Sequence, residues 1–331
     1  MSNRNISKKI LHWYDNNKRI LPWRKDVSKK QKQYFTLVSE FMLQQTQVKT
    51  VIPYFKNFIK KIPNLKKLSK VNDKKLMKCW EGLGYYSRAR NLKKTAKKVV
   101  SDFRGSLPKN IDDLKTLPGI GEYTSRAIMA IAFNKPIIPL DGNVERILKR
   151  VFYLKKEYEI SKENLNKKKS FFGTSARSSD YAQAIMEIGA LICKPVVPLC
   201  TLCPISKNCV SFKKNDFEIS SKNKFSKIKY FEAEIYKDKD KDKYLLVKNN
   251  KFKFLRNLLI FPMREVEKEK FNSTLSKKIN IKMSNMEMKI ALNKKIKKTK
   301  IKNSFLLNKE NINQFILPSF TKRIFKSVSK Y

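Results

Sequence analysis

Apolar positions in the first two hundred residues recur at helical intervals. In "ISKKILHWYDNNKR" Ile6, Ile10, Trp13 and Tyr14 fall on one face, which predicts an amphipathic helix. "YFTLVSEFMLQQ" (34–45) and "SRAIMAIAF" (125–133) are dense enough in apolar side chains to predict buried helices. The pattern changes after residue 229. "FEAEIY" alternates, while "KYLLVK" and "FLRNLLIF" are short apolar runs bounded by charge, and all three predict strands. "KKIKKTKIKN" (294–303) reads as a solvated charged segment. The polar stretch "SFKKNDFEISSKNKFSKIK" (211–229) separates the two patterns. All eight glycines lie between Gly82 and Gly189, so the C-terminal part must turn with Asn, Asp, Lys and Pro. The expected architecture is multi-domain: an all-α core over residues 1–212, a linker over 213–229 and a smaller α+β domain over 230–331.

Charge and cysteines narrow the chemistry. The 331-residue chain holds 75 Lys and Arg against 28 Asp and Glu, a formal +47. Such a surplus favours polyanions, nucleic acid first among them. It is spread along the chain rather than gathered in one patch, and a composition rich in Lys, Ile and Asn produces part of it without selection for binding. No apolar run is long enough to span a membrane, and "MSNRNISKKI" lacks the apolar core of a secretory signal. A cytoplasmic setting is therefore expected, where thiols stay reduced. Four of the five cysteines crowd into "CKPVVPLCTLCPISKNC", and Cys79 stands apart. A cluster of that kind predicts a metal site at Cys193, Cys200, Cys203 and Cys209. Its spacing contains one CxxC pair and matches neither the common zinc nor the common ferredoxin patterns, so zinc and an iron–sulfur cluster both stay open at this point.

"LKTLPGIGEYTSRAIMAIAF" places Pro118, Gly119 and Gly121 in a tight turn between apolar segments. Glycines admit positive φ and close backbone approach, and a helix starting just after them leaves free N–H groups suited to a phosphate. A plain helix–helix connection would look the same. About twenty residues on, "IIPLDGNVERILKR" sets Asp141 and Asn143 just ahead of a basic helix, where either could serve as a cap.

A Leu-Pro-Gly-Ile-Gly hairpin, an Asp about twenty residues later and a four-cysteine loop together resemble the helix–hairpin–helix DNA glycosylases. That resemblance implies a 4Fe-4S cluster on Cys193, Cys200, Cys203 and Cys209. "VSEFMLQQTQVKTVIPYF", "WEGLGYYSRARNL", "LPWR" and "QAIMEIGALIC" are similar, nearly residue for residue, to the A/G-specific adenine DNA glycosylase (MutY) family. The likeness runs over roughly residues 6–210. "KDVSKKQKQ" (25–33) is longer than that family's usual connection. Endonuclease III-like relatives carry a Schiff-base lysine after the hairpin, where this chain has Tyr123, and a tyrosine cannot form an imine. The C-terminal part resembles the family's Nudix-like domain at "KYLLVKNNKFKFLRNLLIFP" and "ILPSFTKRIFKSV". The nearest match to its lesion-recognition element is "MSN" (283–285), which lacks the histidine. His12, the chain's only histidine, falls in the first helix. "REVEKE" at Arg264 has no upstream glycine and is not read as a pyrophosphohydrolase box.

The resemblance implies a monofunctional glycosylase that removes adenine paired with 8-oxoguanine or guanine in double-stranded DNA. It would act as a monomer, without a membrane, at the bacterial-type nucleoid. Glu40 matches the acid that protonates the base, and its apolar neighbours favour the protonated form. Asp141 matches the carboxylate facing the sugar cation, and Tyr123 and Asn143 match residues that orient the two. Trp23, Arg24 and Leu43 match the adenine pocket, with Gln183 beside them. Gln45 and Tyr85 match residues that enter the duplex, while Gly119 and Gly121 match the hairpin on the phosphates. One of Tyr85 and Tyr86 is expected to be core packing. The other readings are an endonuclease III-like glycosylase and lyase, and a non-catalytic zinc-containing DNA-binding module.

Overall fold

The computed structural model describes residues 3–218, 227–237, 243–252, 254–283, 286–296, 304–308, 312 and 315–328. The helices of the first part are α1 (Asn3–Asn17), α2 (Lys29–Leu43), α3 (Val48–Lys61), α4 (Leu65–Lys70), α5 (Asp73–Trp80), α6 (Ser87–Asp102) and α7 (Ile111–Lys115). They continue with α8 (Glu122–Ile131), α9 (Gly142–Val151), α10 (Lys162–Lys168), α11 (Ser178–Glu187) and the short α12 (Val210–Lys213). No described helix is long and apolar enough to cross a membrane.

Polar side chains set many of the boundaries. Ser28, Asn64, Asn72, Asn110, Asp141 and Ser161 each cap the helix that follows by accepting a backbone N–H. Every residue of α2 from Tyr34 to Met42 is buried, so this helix runs through the core and its polar members need partners inside it. A second apolar cluster joins Ile6, Ile10 and Tyr14 of α1 to Val144, Ile147 and Leu148 of α9 and Tyr181 and Ile185 of α11. The predicted face of α1 is thus the one it buries, with Trp13 at its edge.

The chain divides into two compact units. Met1–Val71 and Ser87–Ser221 form one; Asn72–Tyr86 joins Lys222–Tyr331 in the other. The second unit is built on a mixed sheet of β1 (Lys227–Lys237), β2 (Lys243–Lys248), β3 (Leu259–Ile260), β4 (Met263–Val266), β5 (Lys277–Met283), β6 (Met286–Ile296) and β7 (Ser304–Asn308). The order is β3-β2-β1-β6-β5, with β4 paired to β1 and β7 to β2. β1 and β6 run parallel, with Phe231 opposite Ile290. The short α13 (Lys268–Ser273) lies between β4 and β5, and α14 (Ser319–Val328) packs Phe320, Ile324 and Phe325 into the sheet's core.

One expectation needs correction here. "FLRNLLIF" is mostly a turn: Leu255 and Asn257 take left-handed φ values of 52° and 65°, and only Leu259–Ile260 pair as a strand. "FEAEIY" does lie in a strand, β1, where Glu232 is buried and Arg264 of β4 reaches across to it at 2.6 Å. In 213–229, Asp216 accepts from the Tyr153 hydroxyl at 2.6 Å and the Phe217 carbonyl accepts from Arg150. Lys227–Lys229 already belong to β1, and 219–226 lie outside the described residues. Of "MSN", Ser284 and Asn285 lie outside them too.

Candidate active site

The first unit encloses a cavity of about 550 Å³. Trp23, Arg24, Glu40, Leu43, Tyr123, Asp141, Asn143 and Gln183 all line it, although they come from five separate segments. Trp23 is set by a 3₁₀ turn, Pro22–Arg24, and its ring meets Phe55 edge-on at 5.3 Å. Gln183 is buried on α11, where its side-chain amide donates to the Ser179 carbonyl at 3.1 Å.

Two of the three carboxyls that line this space, Glu40 and Asp141, sit in different environments. Glu40 sits in the buried stretch of α2. Burial, and then the charge of Asp141, push its carboxyl up from 4.5 to about 7, while a hydrogen bond donated by Tyr123 and the charge of Arg24 pull the other way. Asp141 is the N-cap of α9. Its Oδ1 accepts from the amides of Asn143 at 3.0 Å and Val144 at 2.7 Å, and its Oδ2 accepts from Asn143 Nδ2 at 3.0 Å. Burial raises Asp141 above its ordinary range as well, and those three hydrogen bonds offset the rise only in part. Asn143 is therefore inside the first turn of α9 rather than ahead of it. The Tyr123 phenol, raised by burial and by both carboxylates, stays a donor to Glu40. The outcome is one carboxyl raised to about 7 beside a second that is raised less, because hydrogen-bond donors oppose its burial, an asymmetry of the kind that acid catalysis with cation stabilisation requires.

Several residues of the site carry no local sequence signal. Glu187, 1% exposed, accepts from Arg19 at 2.7 Å and Arg24 at 2.9 Å, and both arginines line the cavity with it. Burial works against the Glu187 charge, yet the two guanidinium groups hold its carboxyl below the usual range. Arg24 Nε is buried without a hydrogen-bond partner among the described residues. Arg146 donates to Asn143 Oδ1 at 2.8 Å and to the carbonyls of Gly189 and Cys193 at 2.6 Å each. A Cβ at Gly189 would collide with Asn143, so the glycine lets the π turn Ile188–Ile192 press against the start of α9. Arg88 closes the C-terminal end of α2 by donating to the carbonyls of Phe41 at 3.1 Å and Met42 at 2.7 Å, and reaches Thr46 Oγ1 at 3.1 Å.

The remaining sequence candidates lie outside the cavity. Gln45 is exposed at a left-handed φ of 57°, in the turn that Arg88 pins. In the second unit Tyr86 is buried and Tyr85 is 39% exposed, at φ 46°. Gly119 has φ 84°, and a Cβ there would stand 2.9 Å from Phe41 Cε1 and 3.0 Å from Asn91 Cβ. Gly121 caps α8 with no side chain, and nothing lies within 4 Å of where its Cβ would be. That leaves the first amides of α8 open to a ligand oxygen.

Cys193, Cys200, Cys203 and Cys209 line a small cavity closed by Ile147, Ile188, Ile192 and Ile205. Among the described residues no three His, Cys, Asp or Glu side chains converge as ligands of one metal ion. Arg150 runs along the cavity wall, donating to Cys193 Sγ at 3.4 Å and to the Lys194 carbonyl at 2.6 Å. Burial raises Cys200 and Cys209 and pushes the Cys203 thiol up to about 12. A thiolate set in that environment needs a cationic centre to stay charged.

The pattern described as HhH-GPD superfamily base excision DNA repair protein matches residues 38–170. The adenine DNA glycosylase of Buchnera aphidicola subsp. Schizaphis graminum is 36% identical over 282 residues, covering 83% of this chain and 80% of that protein. The human adenine DNA glycosylase is 40% identical over 207 residues, 60% of this chain and 38% of that one. Among solved structures, a thermostable thymine-DNA glycosylase superimposes with a TM-score of 0.56 at 27% identity, over 64% of this chain and 97% of that one. Endonuclease III in a non-covalent DNA complex gives 0.53 at 21% identity, over 65% and 98%, a likeness of fold.

Proposed function

This chain belongs to the adenine DNA glycosylase family, and from that premise we propose that it is a monofunctional enzyme hydrolysing the N-glycosidic bond of adenine paired with 8-oxoguanine or guanine in duplex DNA. The observation that carries the reading is the pair of carboxyls on one cavity, with Glu40 raised to about 7. Adenine leaves slowly as an anion. Glu40 delivers a proton to N7, so the base departs neutral and the sugar passes through an oxocarbenium-like state. Asp141, held by the amides of α9, supplies negative charge to that cation, much as the second carboxylate does in glycoside hydrolysis. Tyr123 and Asn143 fix the two carboxyls. Trp23, Arg24, Leu43 and Gln183 form the walls for the extruded base.

Extrusion costs a few kcal/mol of unstacking and is offset by contacts along the strand. Gly119, Gly121 and the open amides of α8 suit a phosphate, while exposed Gln45 and Tyr85 suit the gap left in the duplex. The cysteine loop fits a 4Fe-4S cluster on Cys193, Cys200, Cys203 and Cys209: four sulfurs are spread around an apolar cavity with Arg150 alongside. A cluster held there would tie the four cysteines of the loop together, and none of the residues proposed for base removal belongs to that loop. The second unit is read as a degenerate Nudix-like domain.

The deciding experiment is single-turnover excision on duplexes carrying A opposite 8-oxoguanine, G, C and T. Release of adenine opposite 8-oxoguanine and G, with the strand intact until alkali is added, supports the proposal. Excision of another base, or none, overturns it. Zinc without iron or sulfide in active protein would remove the cluster.

A further inference from the structure

The turn Glu81–Tyr86 follows α5 and holds an uncommon backbone shape. Gly82, Gly84 and Tyr85 have φ values of 96°, 78° and 46°. A tyrosine persists in the left-handed region only where its surroundings fix it. Part of that fixing is local. The Trp80 indole N–H donates to the Gly84 carbonyl at 3.0 Å, and the Gly82 amide donates to the Tyr86 hydroxyl at 3.4 Å.

A further part comes from a distant segment, residues 317–322. Glu81, its side chain 9% exposed, accepts from Lys322 Nζ at 2.8 Å and from the Leu317 amide at 3.3 Å, with Lys78 Nζ on its other oxygen at 2.7 Å. Burial would raise this carboxyl, but the hydrogen bonds from Lys322 and Lys78 outweigh it and hold the group below its ordinary value. Lys322 and Leu317 do not float. Leu317, Phe320, Ile324 and Phe325 are seated in the core of the sheet, and Thr321 Oγ1 donates to the Leu259 carbonyl at 2.8 Å. A buried carboxylate gripped by donors from a rigid element transmits that element's position.

We propose that Glu81 is a positioning residue: clamped by Lys322 and the Leu317 amide, it fixes the turn so that Tyr85 is presented to the duplex. The second unit thereby takes part in base extrusion, apart from any reading of the lesion base. The inference rests on the reading of Tyr85 as a residue that enters DNA.

The test uses full-length protein with Lys322→Met, Lys322→Arg, Glu81→Gln and Tyr85→Ala. Hydrogen exchange is followed at the amides of 82–86 without DNA, and single-turnover excision opposite 8-oxoguanine at saturating enzyme. Lys322→Met and Glu81→Gln should each speed exchange at 82–86 several-fold while 114–131 is unchanged, and slow excision several-fold. Lys322→Arg should restore both. In a Tyr85→Ala background Lys322→Met should slow excision no further. Unchanged exchange in Lys322→Met overturns the clamp, and so does full additivity with Tyr85→Ala. A Tyr85→Ala variant excising at the parent rate overturns the reading of Tyr85 instead, and the DNA-free exchange data tell that failure from failure of the clamp.

Discussion

Replacing Glu40 with Gln removes the proposed proton donor while keeping its shape and a polar group for Tyr123. General acid catalysis contributes about 10²–10⁴-fold, and the other carboxyls on the cavity are committed elsewhere: Asp141 accepts three hydrogen bonds that favour its charged form, and Glu187 is paired with Arg19 and Arg24. Single-turnover excision should therefore fall by at least about 10²-fold. Binding to an A:8-oxoguanine duplex should stay near normal, since the phosphate contacts are untouched. A second effect has the opposite sign. The Glu40 carboxyl stands at about 7 against an ordinary 4.5, which at about 1.4 kcal/mol per pKa unit amounts to roughly 3 kcal/mol. The folded state binds this proton more tightly than the unfolded chain does. The associated stability is complete below about pH 4.5 and is lost as pH rises through about 7. At pH 8 the parent bears that penalty and the Gln variant does not. Denaturant curves should thus find Glu40→Gln gaining up to about 3 kcal/mol on the parent between pH 5 and pH 8. The parent's excision rate should fall above about pH 7, as the donor loses its proton. Excision within a few-fold of the parent would place the acid elsewhere. A stability difference independent of pH would mean that Glu40 is not held protonated.

Cys203→Ser should lower iron and acid-labile sulfide from about four each per chain and bleach the brown colour expected of the parent; a colourless, zinc-loaded, fully active parent would refute the cluster. Gly119→Ala forces a side chain into φ 84° with its Cβ 2.9 Å from Phe41, and should cost about 1–3 kcal/mol in thermal unfolding; an unchanged midpoint would show that the hairpin yields freely. Borohydride should trap little covalent adduct on abasic product, because Tyr123 offers no amine. Efficient trapping would contradict monofunctional chemistry, and Lys49, which lines the same cavity, is the amine to substitute first.

Periodicity alone reveals α1, α2 and α8, since each buries a continuous apolar face or runs wholly through the core. It says little about the site. Glu40, Tyr123 and Asp141 meet across a hundred residues, and the family motifs in the sequence indicated that meeting where spacing could not. The pairing of Glu187 with Arg19 and Arg24 had no signal in the spacing, because the two arginines lie 168 and 163 residues from it and no helical repeat links them. "FLRNLLIF" misled for a different reason. A short apolar run reports packing, and a half-buried turn whose Phe254 and Leu255 pack on the core satisfies it as well as a strand does. Alternation along β1 is likewise silent on the partner of Glu232, which is buried and meets Arg264.

The grip of Leu317 and Lys322 on Glu81 spans 236 residues of chain, and that separation has a meaning in time. Contacts between distant segments form late, after the loop between them has closed. On a ribosome adding about 5–20 residues per second, the Glu81 turn is made roughly ten to fifty seconds before its clamp exists. All the residues that line the candidate active-site cavity are synthesised before α14 begins. A nascent chain can therefore complete that cavity before it makes the segment that grips the Glu81 turn, and if Tyr85 enters the duplex as proposed, its presentation waits on α14.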